Sequence, residues 1–155
     1  MAYADAEDMT TMGLRYVRLD TPYVQHYDHF DEDTIRRYER AVPSVFSFGA
    51  FEQDTCVGLI LAEARDWNKC VWVFEYHVAA AHRGMGIGKQ QLAALVQKAR
   101  LAHLRTLVCE TQNTNATAIA IYRRLGFRVE GIDISYYSND DYPDGEIAVF
   151  MKRRL

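Results

Sequence analysis

Three glycines at alternate positions, Gly84, Gly86 and Gly88, stand in the run Ala81-His82-Arg83-Gly84-Met85-Gly86-Ile87-Gly88-Lys89-Gln90-Gln91-Leu92, where a strand-like stretch meets an amphipathic one. Glycine takes backbone angles closed to other residues and lets the chain approach a ligand closely, and the first N–H groups of a helix have no partner inside it. The spacing therefore predicts a strand-to-helix turn able to cradle an anion, a phosphate above all. Two common phosphate motifs do not fit it. The dinucleotide fingerprint Gly-x-Gly-x-x-Gly meets Lys89 or Gln91 where its third glycine belongs, and the P-loop meets Arg83 and Gln90 where it needs Gly and Ser or Thr. A tight connection that holds no ligand is the alternative reading.

At 155 residues, 49% hydrophobic and 25% charged, the chain can bury a core and is expected to form one domain. Its formal net charge of −3 argues against nucleic acid and anionic membrane as partners and favours cationic ones. Cys56, Cys70 and Cys109 lie in apolar runs without metal-ligand spacing, so reduced, packed thiols and a cytoplasmic location are expected. No apolar run reaches membrane-spanning length, and the start of the chain is acidic where a signal peptide would be basic and then apolar.

Residues 1–13 read as a mobile tail too polar to pack, and residues 14–155 as the domain. Leu14 to Leu19 alternates as a first strand. Helical spacing follows through Tyr23, His26, Tyr27 and Phe30, and a second short helix runs from Asp33 or Thr34 to Ala41. Asp28, Asp31, Glu32 and Asp33 read either as a solvated loop or as an acidic wall for a cation. Val45 to Glu52, Val57 to Ala64 and Val71 to Val78 form a meander. Lys89 to Ala102 is a helix with Leu92, Leu95, Val96 and Ala99 on its buried stripe and Gln91 outside it. Leu104 to Thr111 is a strand buried on both faces and parallel to the one before. A last helix carries Ala118, Ile121, Tyr122 and Leu125 on one face. Phe127 to Ser135 and Glu146 to Lys152 are the final strands, around the loop Tyr136 to Gly145. The order gives an α+β sheet of mixed pairing.

Arg83-Gly84-Met85-Gly86-Ile87-Gly88 after a strand resembles the Arg/Gln-x-x-Gly-x-Gly/Ala signature of the GCN5-related N-acetyltransferases (GNAT). Asn115-x-x-Ala118-x-x-Ile121-Tyr122-x-x-Leu125-Gly126-Phe127 looks like the second signature of that family, at the expected distance. The resemblance spans roughly Leu14 to Leu155. It implies an α/β sandwich with a central mixed, mostly antiparallel twisted sheet of six to seven strands and flanking helices. It implies acetyl-CoA as co-substrate, a primary amine as acceptor, no metal, and a homodimer. By the same resemblance Tyr76, His77 and Val78 pair with the pantetheine arm and thioester. Arg83, Gly84, Met85, Gly86, Ile87, Gly88 and Lys89 take the pyrophosphate, Asn115 and Ala118 lie along the pantetheine, and Tyr122 lies near the sulfur. A contact from Lys152, Arg153 or Arg154 to the coenzyme 3′-phosphate is weighed against plain solvation.

Trp67-Asn68, Leu107 through Gln112, Gly131-Ile132-Asp133 and Gly145-Glu146-x-Ala148 are similar to the streptothricin acetyltransferases, which act on a β-lysine amine of a cationic antibiotic. That group tends to carry an acidic pair on the strand before the glycines, where this chain has Phe74-Glu75. Glu110 with Tyr122 twelve residues on, Tyr136-Tyr137 and Glu146-x-Ala148-x-x-Met151 are similar to the ribosomal-protein alanine N-acetyltransferases. The acceptor thus stays open between a small cationic amine and a protein N-terminus. A catalytically silent acyl-CoA sensor is the rival from another class.

Acyl transfer to an amine needs a neutral nucleophile, a donor for the developing oxyanion and a proton for the thiolate. Glu110 and Glu75 are the carboxylates expected to supply a base, directly or through water. Tyr122 is the expected proton donor, and the Val78 N–H the oxyanion donor if the family geometry holds. His77 and His82 read as structural residues before they read as bases. His26 and His29, three apart, read as surface residues, and no metal is expected.

Overall fold

The computed structural model describes residues 2–15, 17, 20, 21, 31–143 and 145–155. Among them, β1 (Ala2–Ala6) and β2 (Met9–Gly13) form a two-stranded antiparallel sheet of their own. A six-stranded sheet holds β3 (Phe48–Glu52), β4 (Thr55–Arg65), β5 (Cys70–Val78), β6 (Thr106–Gln112), β7 (Arg128–Asp133) and β8 (Ala148–Arg154), in the spatial order β3-β4-β5-β6-β8-β7. The helices are α1 (Glu32–Ala41), α2 (Ile87–Leu101) and α3 (Ala116–Arg124). All neighbouring strands in the large sheet are antiparallel except β5 and β6, which α2 joins as a crossover. The expected mixed α+β sheet is present, with six strands.

Helix α2 buries Leu92, Leu95, Val96 and Ala99 against Ile60, Ala62, Val71, Val73 and Leu107. Each fully buried aliphatic side chain of this kind stabilises the fold by about 1.5–3 kcal/mol. The face of the sheet away from α2 carries α1. Asp31 caps α1 by accepting from the Thr34 N–H at 2.7 Å, and Arg36 pairs with Glu32 and Asp33 on its surface. Asp31, Glu32 and Asp33 thus cap and pair within the first turn of α1; Asp28 lies outside the described residues.

Five other expectations change. Residues 2–13 pair as a hairpin whose described side chains are all exposed, where a tail was expected, because strand pairing satisfies backbone groups without needing an apolar core. Leu14, Arg15 and Val17 are in no strand; the rest of the expected first strand, the helix through Tyr23 to Phe30 and the His26/His29 pair lie outside the described residues. Gln91 is buried, since its amide reaches the Phe48 carbonyl at 3.2 Å, and on α3 it is Ile119 that is buried while Ile121 is 42% exposed. Cys70 and Cys109 are packed as expected, but Cys56, the second residue of β4, is exposed. Among the described residues no helix is long and apolar enough to cross a membrane.

Candidate active site

Pairing between β5 and β6 joins Cys70–Val73 to Thr106–Cys109 and stops there, although β5 continues to Val78 and β6 to Gln112. The sheet opens between its two parallel strands at their carboxyl ends. On the other side of β5 the Ala79 N–H bonds to the Val57 carbonyl at 2.9 Å, which makes Gly58 and Val78 a non-hydrogen-bonded pair. The Val78 N–H and, two residues back, that of Tyr76 therefore point away from β4 and into the opening. The backbone of His77, one residue out of phase, is directed to β4 instead.

A β-bulge decides where the carboxylates go. Leu61 pairs with Glu75 but Ala62 pairs with Val73, so Phe74 is an extra residue on β5. Strict alternation from the buried Val71 and Val73 would send Glu75 into the core under α2. The extra residue resets the count, so that Tyr76 packs under α2 and Glu75 and His77 face α1. Phe74 and Glu75 both meet α1: the Arg37 guanidinium sits 5.4 Å from the Phe74 ring and Tyr38, the next residue of α1, donates to Glu75.

Glu110 stands on the same face of the sheet, across the opening. It is opposite Phe150 in register, and Phe150 packs on Trp72 at 5.9 Å and on Tyr136 at 5.4 Å. Tyr137 donates to its carboxylate. Burial raises Glu110 above the ordinary carboxyl range; the Tyr137 bond opposes this and the charge of Glu146 adds to it. Glu75 moves the other way. Burial pushes it up, but the hydrogen bonds from His77, at 2.5 Å, and from Tyr38 outweigh burial and hold it below its ordinary value, while His77 is raised by the same bond.

Below the opening, the glycine run takes the shape that the sequence predicts. Gly84 and Gly86 have φ of 82° and 84°, and Gly86 caps α2, which begins at Ile87. A Cβ at either position would meet nothing within 4 Å, so open space lies beside both. Gly88 is needed for a different reason: a Cβ there would come within 3.1 Å of the Tyr76 hydroxyl, which bonds to the Gly88 carbonyl. The first intrahelical bond runs from Gln90 to Gly86, leaving the Ile87, Gly88 and Lys89 N–H groups directed out of the helix start. Arg83 is tied back to the Val78 carbonyl at 3.1 Å. Open backbone, a helix N-terminus and two cations, Arg83 and Lys89, fit a pyrophosphate.

Helix α3 supplies the other wall. The Asn115 side chain caps it, accepting from the Ala118 N–H at 3.0 Å. Tyr122 stacks on Tyr76 at 6.4 Å and tilts against Phe127 at 5.5 Å. Burial drives its phenol well above the ordinary value, and Cys109, Tyr76, Glu75 and Glu110 add to the shift. Tyr122 thus keeps its proton and feels both carboxylates.

The matches to known proteins agree with this geometry. Residues 12–127 match the acetyltransferase (GNAT) family. The chain belongs to this family. It is an acetyl-CoA-dependent N-acetyltransferase by that membership. It is 28% identical over 134 residues to streptothricin acetyltransferase A of Bacillus subtilis, covering 86% of this chain and 74% of the relative. A nourseothricin acetyltransferase structure matches with TM-score 0.63 and 32% identity over 70% of this chain and 64% of that one. The ribosomal-protein-S18-alanine N-acetyltransferase of Escherichia coli shares the fold, with TM-score 0.66 and 22% identity over 84% of this chain and 80% of that one. The GNAT chain thus spans less than two thirds of the nourseothricin enzyme.

The fold of this acetyltransferase brings Glu75, Tyr76, Val78, Glu110 and Tyr122 around one opening, with Arg83 to Lys89 beneath it and Asn115 and Ala118 at the head of α3. His82 stands apart, with its Nε2 3.3 Å from Glu52. Tyr38 and Asp141 escaped the sequence reading. Asp141, 5% exposed, accepts from the Tyr137 N–H and the Ser138 hydroxyl at 2.7 Å and so fixes the loop that carries Tyr137 to Glu110. The Asn139-Asp140-Asp141 turn was the available signal; for Tyr38 there was none, since only tertiary packing links it to Glu75.

Proposed function

We propose that this chain moves the acetyl group of acetyl-CoA to a primary amine of a small cationic acceptor of the streptothricin kind, by direct attack of the amine on the thioester. The observation that carries this reading is the placement of Glu75 and Glu110 on one face, at the two lips of the opened β5–β6 pair. Two carboxylates there favour a cation, as does the formal charge of −3.

Their opposite environments divide the work. A lysine-like ammonium, with a pKa near 10.4, is neutral in roughly one part in a thousand near neutral pH, so the acceptor must lose a proton on arrival. Glu75, held ionised by Tyr38 and His77, is the anchor for the ammonium. Glu110, raised by burial, is the better proton acceptor and serves as base, directly or through one water. Bound acetyl-CoA supplies the electrophilic thioester. The Val78 N–H, turned into the opening by its strand register, donates to the developing oxyanion without reorganisation. Tyr122, which keeps its proton, returns one to the leaving sulfur. The Ile87, Gly88 and Lys89 amides with Arg83 hold the pyrophosphate.

A second reading, acetylation of a protein N-terminus, is favoured by Tyr136 and Tyr137 crowding Glu110. An α-amino group, with a pKa near 8, asks less of the base. A silent acyl-CoA sensor is the third. Thiol release from acetyl-CoA against streptothricin, polyamines, lysine-like amines and short free-N-terminal peptides separates them. Turnover on cationic small amines that Glu110→Gln greatly slows supports the first. Turnover on peptides alone moves the chain to the second, and coenzyme binding with no turnover on any acceptor supports the sensor.

A further inference from the structure

A groove of about 410 Å³ lies beside Glu75, between α1 and the β3–β4–β5 face opposite α2. Among the described residues its apolar walls are Val42, Phe51, Leu59 and Leu61, with Phe48, Gly49 and Cys56 also in its lining. Its β5 side is Glu75, the register partner of Leu61, and His77, the partner of Leu59. Val42 and Phe51 are 61% and 66% exposed, so the groove offers open apolar surface beside the carboxylate. Two other polar groups of the lining are spent on backbone carbonyls, the Ser47 hydroxyl on Ala41 at 2.7 Å and the Cys56 thiol on Gly58 at 3.4 Å. Glu75 is the one acid that faces this apolar space among the described residues, and Tyr38 and His77 hold it there.

An ammonium alone needs a carboxylate and water; it does not need apolar walls next to them. We infer that the groove seats an aliphatic arm of the acceptor, so that the preferred substrate is a primary amine carried on an extended apolar chain, with its cationic group drawn to Glu75. This rests on the acetyl transfer proposed above and narrows its substrate class. An amine whose neighbouring atoms are ethers or hydroxyls would leave those atoms without hydrogen-bond partners against Leu59 and Leu61 and would bind less well.

The test is a chain-length series. Thiol release from acetyl-CoA is measured with n-propylamine through n-octylamine and with ether-containing amines of matched length. Binding of the same amines to the CoA-loaded protein is measured by calorimetry. The expected result is a kcat/KM that rises about fourfold with each added methylene until the groove is filled, with the ether analogues losing most of that gain. Leu59→Gln and Val42→Gln, each checked for fold by circular dichroism, should flatten the slope. A wild-type series flat in both turnover and binding overturns the inference, and so does a slope unchanged in both variants. Length-dependent binding with no thiol release keeps the groove and refutes the transfer reading instead.

Discussion

Tyr137 donates its phenolic hydrogen to the Glu110 carboxylate across 27 residues of sequence, tying the loop after β7 to the end of β6. Burial sets Glu110 above its ordinary value and this bond pulls it partly back, so the two residues tune one titration. A base must be ionised to act, so kcat/KM should fall as pH drops through the raised Glu110 pKa. Tyr137→Phe removes the opposing bond and should move that acidic limb to higher pH, and Asp141→Ala, by loosening the loop, should move it the same way. Glu110→Gln should cost about 10²–10⁴ in kcat and abolish the limb. A pH–rate profile in which the limb stays put in Tyr137→Phe would remove Glu110 from the role of base.

Gly84→Ala and Gly86→Ala should each destabilise the protein by about 1–2 kcal/mol, because a side chain disfavours the left-handed backbone these positions hold even where space is open. The KM for acetyl-CoA should rise with little change in kcat. Gly88→Ala acts through contact with the Tyr76 hydroxyl and should raise KM as well, by shifting α2 away from β5. Urea unfolding and initial-rate kinetics read the two effects separately.

Tyr122→Phe keeps the ring between Tyr76 and Phe127 and removes only the hydroxyl. Stability should change little and kcat should fall by about tenfold to a hundredfold, since a thiolate leaves readily without full protonation. An unchanged kcat with a rate-limiting chemical step would show that the phenol plays no part in the leaving of sulfur.

The Glu75–His77 pair links stability to pH with opposite signs at its two ends. Glu75 is lowered on folding from 4.5, so its contribution is present above that value and is lost as pH falls through the lower folded pKa. His77 is raised from 6.5, so its contribution is complete below 6.5 and is lost as pH rises through the higher folded pKa. His77→Gln should therefore lower the thermal midpoint most between about pH 4.5 and 6.5 and least at alkaline pH, with a small effect throughout because the imidazole is 68% exposed. A midpoint difference that grows toward alkaline pH would contradict the pairing.

Most of the meander, the strand–helix–strand unit and the glycine turn were legible in the residue order, because each depends on a local signal: alternation in β4 and β5, a 3.6-residue stripe in α2, and glycines where the backbone takes positive φ. The signature from Asn115 to Phe127 was legible for the same reason, since a cap and a helix face are short-range features. The residues 31–33 and 119–121 were less so. Asp31 reads as solvated loop or acidic wall, and only the placement of the helix after it makes it a cap, while which of Ile119 and Ile121 is buried depends on how α3 is rotated against the sheet.

What the sequence determined by itself is the family and the shape of the glycine turn, since these rest on residue types at fixed short spacings. The tertiary structure alone decided where Glu75 and Glu110 stand. The bulge at Phe74 exists only through pairing with β4, and it is this extra residue that turns Glu75 out of the core toward Tyr38. Burial raises Glu110 against the opposing bond from Tyr137, 27 residues away, and Glu75 is held low against burial by His77 and by Tyr38, 37 residues away; neither burial nor these distant partners are encoded in a local pattern.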